Sequence, residues 1–225
     1  LARFFDDAKM AHLSLVKSLS HLQEEQKHTE AVLLDAFGLA FTRGSLIEIA
    51  GGPSTGKTSL ALSLLAQLTA AGEICAVVDS TGGFDPRSAV LAGVELKDLL
   101  WVRCGGDVER SFMSADYLVQ AKGFGCIWLD LSGLPQSKLQ MVPKTYWYRY
   151  RTRIKETPTM LIVTADESVT GSASQNAYIF SRDKTVWSGS GRFKLLRELE
   201  LKMLSRKGFY GDAFRTRIEM DYTDV

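Results

Sequence analysis

Eight consecutive residues, Gly51-Gly52-Pro53-Ser54-Thr55-Gly56-Lys57-Thr58, carry the most specific chemical signal in this chain. They form a G-x-x-x-x-G-K-T pattern, in which glycines let the backbone bend around an anion, a lysine meets it, and a hydroxyl meets a cation. A run from Leu46 to Ile49 precedes them, and an apolar-periodic stretch from Thr58 to Ala71 follows. Strand, glycine loop and helix is the context that a phosphate-binding loop requires. Successive N–H groups and the helix N-terminus then converge on the ligand. In such a loop Lys57 reaches the β- and γ-phosphates and Thr58 ligates Mg²⁺, so ATP and Mg²⁺ are the expected cofactors. Whether the loop supports hydrolysis is a separate question.

Two further constellations lie where other strands end. Cys126 to Leu129 is an apolar run closed by Asp130. An acid there would hold Mg²⁺ through water, or it would simply shape a turn. Asp79 to Asp85, DSTGGFD, follows the apolar run Ile74 to Val78. Ligands gather at the carboxyl ends of strands in open α/β sheets. Asp85 precedes Pro86, which suits an N-cap followed by the first helical position.

A third feature is a basic, aromatic segment: Lys144, Tyr146, Trp147, Tyr148, Arg149, Tyr150, Arg151, Arg153 and Lys155. Such a mixture suits a nucleic-acid surface, with phosphate pairing and base stacking. It equally suits a helix that buries aromatics and sends arginines to solvent, or a face for a protein partner. The candidate DNA-binding residues are Arg149, Arg151, Arg153 and Lys155, with Arg206 and Lys207 in a basic turn over 205–208.

These groups need a scaffold. Asp6 to His28 reads as a helix with a stripe of Met10, Leu13, Val16, Leu19 and Leu22, and its His12, His21 and His28 are polar-face residues rather than metal ligands. Glu30 to Phe41 reads as a short helix and turn. Strands are expected over 74–78, 99–103, 126–129 and 160–164, with helices over 87–91 and 107–122. Short strands are expected over 178–180 and 185–187, then a strand over 195–204 and its partner over 213–220. The predicted fold is α/β, a mostly parallel sheet with helices on both faces and an antiparallel C-terminal extension. The division is an N-terminal helical appendage, residues 1–36, and a P-loop core, residues 37–225.

Composition agrees with this. The 225 residues, 45% apolar, suffice for one large core. Residues 1–143 carry 12 Lys/Arg against 16 Asp/Glu, whereas residues 144–225 carry 15 against 10. A basic C-terminal third permits nucleic-acid contact without establishing it. The three cysteines lack a C-x-x-C spacing, which argues for reduced thiols and against a metal site. No apolar run reaches membrane-spanning length and no signal peptide is present, so a soluble, cytoplasmic protein is expected.

From RGSLIEI through the P-loop to ICAVVDSTGGFDP, then GVELKDLLWVR and CIWLD, the chain resembles the RecA family. The resemblance covers roughly residues 37–220 and implies a RecA-like ATPase core. It also implies losses. The family's water-activating glutamate corresponds to Thr81, which cannot act as a general base at neutral pH. Asp85, near the adenine in the family, is retained, but the adenine-stacking aromatic is replaced by Ser88. The γ-phosphate-sensing glutamine corresponds approximately to Asp166. Of two lysines that reach a neighbouring subunit's nucleotide, one is Ser205 and the other Lys207. This pattern is most similar to the ImuA group, degenerate RecA-like accessory proteins of the bacterial mutasome. That resemblance implies SOS translesion synthesis, weak or absent ATP hydrolysis, and no catalytic residue. The implied partners are an ImuB-like polymerase subunit, RecA, single-stranded DNA, and a second copy through the N-terminal helix. The alternative is an active DNA-dependent ATPase, with Asp79, Glu167 or a neighbouring subunit supplying the base, or a regulator of recombinase filaments in homologous recombination.

Overall fold

The computed structural model of the chain describes residues 31–190, 192, 194–207 and 214–219. The helix expected over residues 6–28, with its histidines, lies outside the described residues.

The first described element corrects an expectation. Residues 31–41 do not begin with a helix: they form a hairpin of β1 (Ala31–Leu34) and β2 (Leu39–Thr42), paired antiparallel across a 3-10 turn at Asp35–Phe37. Val32, Leu34, Leu39 and Phe41 are buried and their neighbours in the strands exposed. That period of two fits a strand face and would scatter around a helix. Gly38, at φ 58°, closes the turn. The hairpin packs into the same apolar cluster as Leu60 and Leu64.

The main sheet has eight strands. They are β3 (Leu46–Ala50), β4 (Cys75–Asp79), β5 (Leu99–Arg103), β6 (Cys126–Asp130), β7 (Met160–Ala165), β8 (Asn176–Ser188), β9 (Leu195–Lys207) and β10 (Phe214–Glu219). Their spatial order is β10-β9-β8-β3-β7-β6-β4-β5. Pairing is parallel from β8 to β5 and antiparallel for β9 and β10, as the sequence predicts. Two details differ. The short strands expected at 178–180 and 185–187 are one strand, β8, with pairing irregularities at Arg182/Lys184 and Val186/Trp187. The basic turn expected from Ser205 is instead the end of β9 through Lys207, because continued pairing with Tyr178 and Ala177 holds it extended.

Helices cover both faces. On one face α1 (Lys57–Ala70) buries Leu60, Leu64, Leu65 and Leu68, joined by Ala89 of α2 (Pro86–Leu91). On the other face lie α3 (Val108–Ala121), the short α4 (Gln136–Gln140) and α5 (Thr145–Ile154). Phe112 of α3 meets Tyr146, Trp147 and Tyr150 of α5 at ring-centroid distances of 5.6, 4.9 and 6.4 Å. The Tyr150 hydroxyl donates to the Phe112 carbonyl at 2.6 Å. The aromatics of this segment are therefore largely core. No helix among the described residues is long and apolar enough to cross a membrane.

Cys75, Cys104 and Cys126 are free and buried. Burial pushes the Cys75 thiol up to about 12 and raises Cys126 well above the ordinary range. Because the thiolate is the reactive species, native protein should resist iodoacetamide at pH 8, and all three thiols should label in denaturing urea. Mass spectrometry of the alkylated peptides reads this directly, and rapid native labelling at Cys75 or Cys126 would contradict the packing.

Candidate nucleotide site

The loop between β3 and α1 takes its shape from backbone conformation. Ser54 and Gly56 have φ of 57° and 88°, the left-handed region, which curls the chain into a concave turn. Gly51 is required for a different reason: a Cβ there would lie 2.5 Å from the Phe180 carbonyl of β8. Thr55 donates its hydroxyl to the Gly52 carbonyl at 2.8 Å, bracing the loop. At the helix start the first N–H groups have no intrahelical acceptor, which is the property an anion uses. Thr58 is exposed in the first turn. From the far side, Leu201 of β9 packs on Gly56, where a Cβ would come within 2.7 Å of its Cδ1.

Lys57 is almost fully buried, and its ammonium is already engaged. Nζ donates to the Gly51 carbonyl at 2.5 Å, to the Ala165 carbonyl at 3.3 Å, and to Asp166 Oδ1 at 2.5 Å. The other oxygen of Asp166 accepts the Gly133 N–H at 3.0 Å. Partial burial works against the Asp166 charge, but Lys57 and the Gly133 N–H outweigh it and hold the carboxyl below its usual range. The residue at the expected γ-phosphate-sensing position thus serves as a resident counterion for the P-loop lysine.

Asp130 is buried at the end of β6. Its Oδ1 accepts the Ser132 N–H at 3.0 Å and the Thr164 hydroxyl at 2.7 Å, while Thr164 in turn accepts from Trp128 Nε1 at 2.8 Å. Strand register puts Asp79, Asp130 and Thr164 side by side across β4, β6 and β7. Thr58 and Asp130 suit Mg²⁺ chemically as oxygen donors. Among the described residues no group of three or more His, Cys, Asp or Glu forms a metal cage. A Mg²⁺ would accordingly draw on phosphate oxygens, as P-loop proteins arrange it.

The positions expected for hydrolysis carry other duties. Thr81 donates its hydroxyl to the Ser132 carbonyl at 3.1 Å. Asp79, a base candidate in the active-ATPase reading, is fully buried. Its carboxylate accepts N–H groups of Gly82, Gly83 and Phe84 at 2.7, 3.0 and 3.4 Å, and Trp101 Nε1 at 3.2 Å. Every oxygen is thereby spent on folding the DSTGG turn. Asp85 is the N-cap of α2, accepting from Arg87 N, Ser88 N and the Ser88 hydroxyl at 3.2, 3.1 and 2.6 Å. Glu167 is exposed and lines a cleft of about 480 Å³ with Lys144, Ser168 and Arg206.

The candidate DNA-binding groups separate. Arg149 and Arg153 both pair with Asp116 of α3, at 3.0 and 2.5 Å, and Arg149 stacks over Tyr146 at 4.3 Å. Arg151 reaches the Ala173 carbonyl at 3.5 Å, and Lys155 is exposed. Arg206 stands apart from α5, on β9, donating to the Ser168 hydroxyl at 2.5 Å. The side chain of Lys207 lies outside the described residues.

One residue escaped sequence reasoning. Glu48 is 1% exposed in the middle of β3, and it accepts from Ser168 Oγ, Val169 N and Thr170 N at 2.7, 2.6 and 2.8 Å. It anchors the loop after β7, the loop that carries Asp166. The signal was an acid inside an apolar strand, LIEIA, since a buried acid requires partners.

Sheet order, helix placement and the P-loop define an α/β protein with a RecA-like core. The model of the RecA N-terminal domain matches residues 10–140, and the chain belongs to the RecA family. RecA of Borrelia hermsii is 36% identical over 102 residues, 44% of this chain and 28% of that protein. RecA of Chloroflexus aurantiacus is 33% identical over 129 residues, 55% of this chain and 36% of that protein. The chain therefore spans about a third of the length of these relatives. The crystal structure of the RadB recombinase superimposes with a TM-score of 0.57 at 15% identity, covering 80% of this chain and 88% of that one, which is a likeness of fold.

The Asp166 shift has a definite pH consequence. A carboxyl whose folded value lies below its unfolded value stabilises the protein above the unfolded value, and that contribution disappears as pH falls through the folded value. The urea-stability difference between wild type and Asp166→Asn should therefore be constant from pH 9 to 6 and shrink only below about 4. A difference that vanished near neutral pH would show that the ion pair does not hold.

Proposed function

We propose that this chain is a RecA-family accessory protein of recombination-associated DNA repair that binds nucleotide, engages a recombinase filament or repair partner, and hydrolyses ATP weakly or not at all. The observation that carries the reading is the occupied P-loop lysine: Lys57 is held by Asp166. Thr81 at the base position and the enclosed Asp79 support it, since neither can activate water. The relatives, named RecA and RadB recombinase, favour action beside recombinase filaments.

The finer reading, an ImuA-like adaptor that binds a Y-family-like polymerase subunit in translesion synthesis, is favoured by the joint departure at Thr81, Ser88 and Asp166. Affinity purification from DNA-damaged cells separates the two. Recovery of RecA without polymerase subunits favours filament control, and recovery of a polymerase subunit favours the translesion role. Under both, turnover with Mg-ATP should stay below about 1 per minute, far under the usual enzyme scale, with or without single-stranded DNA. Faster turnover that is abolished in Lys57→Ala and reduced in Glu167→Ala would instead establish the active-ATPase alternative.

Direct contact with single-stranded DNA is a further part of the proposal. Lys155 and Arg206 are exposed, whereas Arg149 and Arg153 must first leave Asp116. Lys155→Glu with Arg206→Glu should weaken binding about tenfold at low salt and flatten its salt dependence, and Arg149→Ala should do less. Affinity that is flat with salt in the wild type would remove the DNA role and leave these residues to a protein partner.

A further inference from the structure

The geometry points to Asp166 as the residue that makes this P-loop selective for nucleoside diphosphates over triphosphates. The inference deepens the nucleotide-binding part of the proposed function and rests on it.

Three observations combine. First, the loop's own machinery is shaped for a phosphate: left-handed Ser54 and Gly56, an open approach at Gly52 where an added Cβ would meet nothing within 4 Å, and the N-terminus of a 14-residue helix. That cradle would hold a β-phosphate chiefly through backbone N–H groups. Second, the lysine that a triphosphate would use to neutralise its outer charge is already neutralised. Lys57 Nζ has two carbonyls and a carboxylate around it, and the residue is 5% exposed. Third, the carboxylate cannot easily withdraw. Its second oxygen is tied to the Gly133 N–H, and its loop is anchored to the sheet through Glu48.

A phosphoryl oxygen that contacts Nζ lies within two hydrogen-bond lengths of Asp166 Oδ1. Asp166 stands one residue past β7 and holds Lys57, so a γ-phosphate that engaged Lys57 would meet it. It would bring its negative charge beside a second anion competing for one ammonium. A diphosphate would lack that outer charge, so its β-phosphate, held mainly by the loop N–H groups, would compete less with Asp166 for the Lys57 ammonium. Asp166 acts as a resident anion on the P-loop lysine, so the diphosphate would be the form the site accommodates with the lesser rearrangement. The ordinary logic of a γ-phosphate sensor, a neutral amide reporting triphosphate, is inverted.

The test is isothermal titration of the intact chain with Mg-ADP and with a slowly hydrolysed ATP analogue, Mg-ATPγS. The wild type should bind ADP at least about tenfold more tightly, a difference of about 1.4 kcal/mol. Asp166→Asn keeps the shape and removes the charge. It should raise the affinity for ATPγS about tenfold while changing ADP affinity by less than about threefold. Asp166→Ser provides a second neutral variant, and a melting curve checks that each is folded. Equal affinities in the wild type, or a preference for ADP that persists in both neutral variants, overturns the inference. So does failure to bind either nucleotide. Failure to bind either nucleotide would also remove the nucleotide-binding part of the proposed function, whereas a lost preference with binding intact overturns only this inference and leaves partner recovery untouched.

Discussion

The parallel pairing of β3 with β7 is the constraint on which the site depends. Leu46 to Ala50 run beside Leu161 to Ala165 in register, so the two strands end together. Gly51 N continues the ladder by donating to the Ala165 carbonyl at 3.0 Å. One residue beyond each strand the chains diverge, one into the phosphate loop and the other into the segment bearing Asp166. Lys57 and Asp166, 109 residues apart in sequence, meet because of that shared ending. A slip of one residue would send every side chain of β3 to the opposite face and pull the pair apart.

Buried carboxylates then fix the loops at this edge. Asp79 gathers the turn after β4, Asp130 orders the start of the turn after β6, and Glu48 gathers the segment after β7. Each accepts backbone N–H groups that would otherwise be unsatisfied, and a charged acceptor makes those bonds stronger than neutral ones. The arrangement supports rigidity around the phosphate loop. It also spends the acids: Asp79 and Glu48 have structural partners on both oxygens, and Asp166 has Lys57 and Gly133. Asp130 instead takes both the Ser132 N–H and the Thr164 hydroxyl on one oxygen. The shape of a phosphate site and the availability of free acids around it are therefore separable.

The antiparallel extension closes the site from the other side. Leu199, Leu201 and Met203 of β9 are buried, and Leu201 rests on Gly56. The opposite face carries charged residues paired across strands, such as Arg215 with Asp183 and Arg217 with Glu198. One strand thus braces the phosphate loop with one set of alternate residues and meets solvent with the other. That alternation explains how a basic C-terminal third belongs to the core sheet.

Local patterns were enough for much of this protein. The P-loop, the strand ending in Asp130, the Asp85 cap of α2 and the parallel-then-antiparallel order follow from spacing, apolar runs and turn residues, which act over a few residues. The same locality explains the errors. Residues 31–41 have apolar positions that a short helix could also use, and only packing against Leu60 and Leu64 selects the hairpin. Ser205 to Lys207 read as a turn until β8 offers partners. The role of Glu48, the sharing of Asp116 by Arg149 and Arg153, and the capture of Lys57 by Asp166 are contacts between residues 33 to 122 positions apart. The sequence by itself determined that a phosphate loop would form on a RecA-like sheet. Tertiary structure alone decided what surrounds its lysine, because sheet order, not chain order, brings the two charges together.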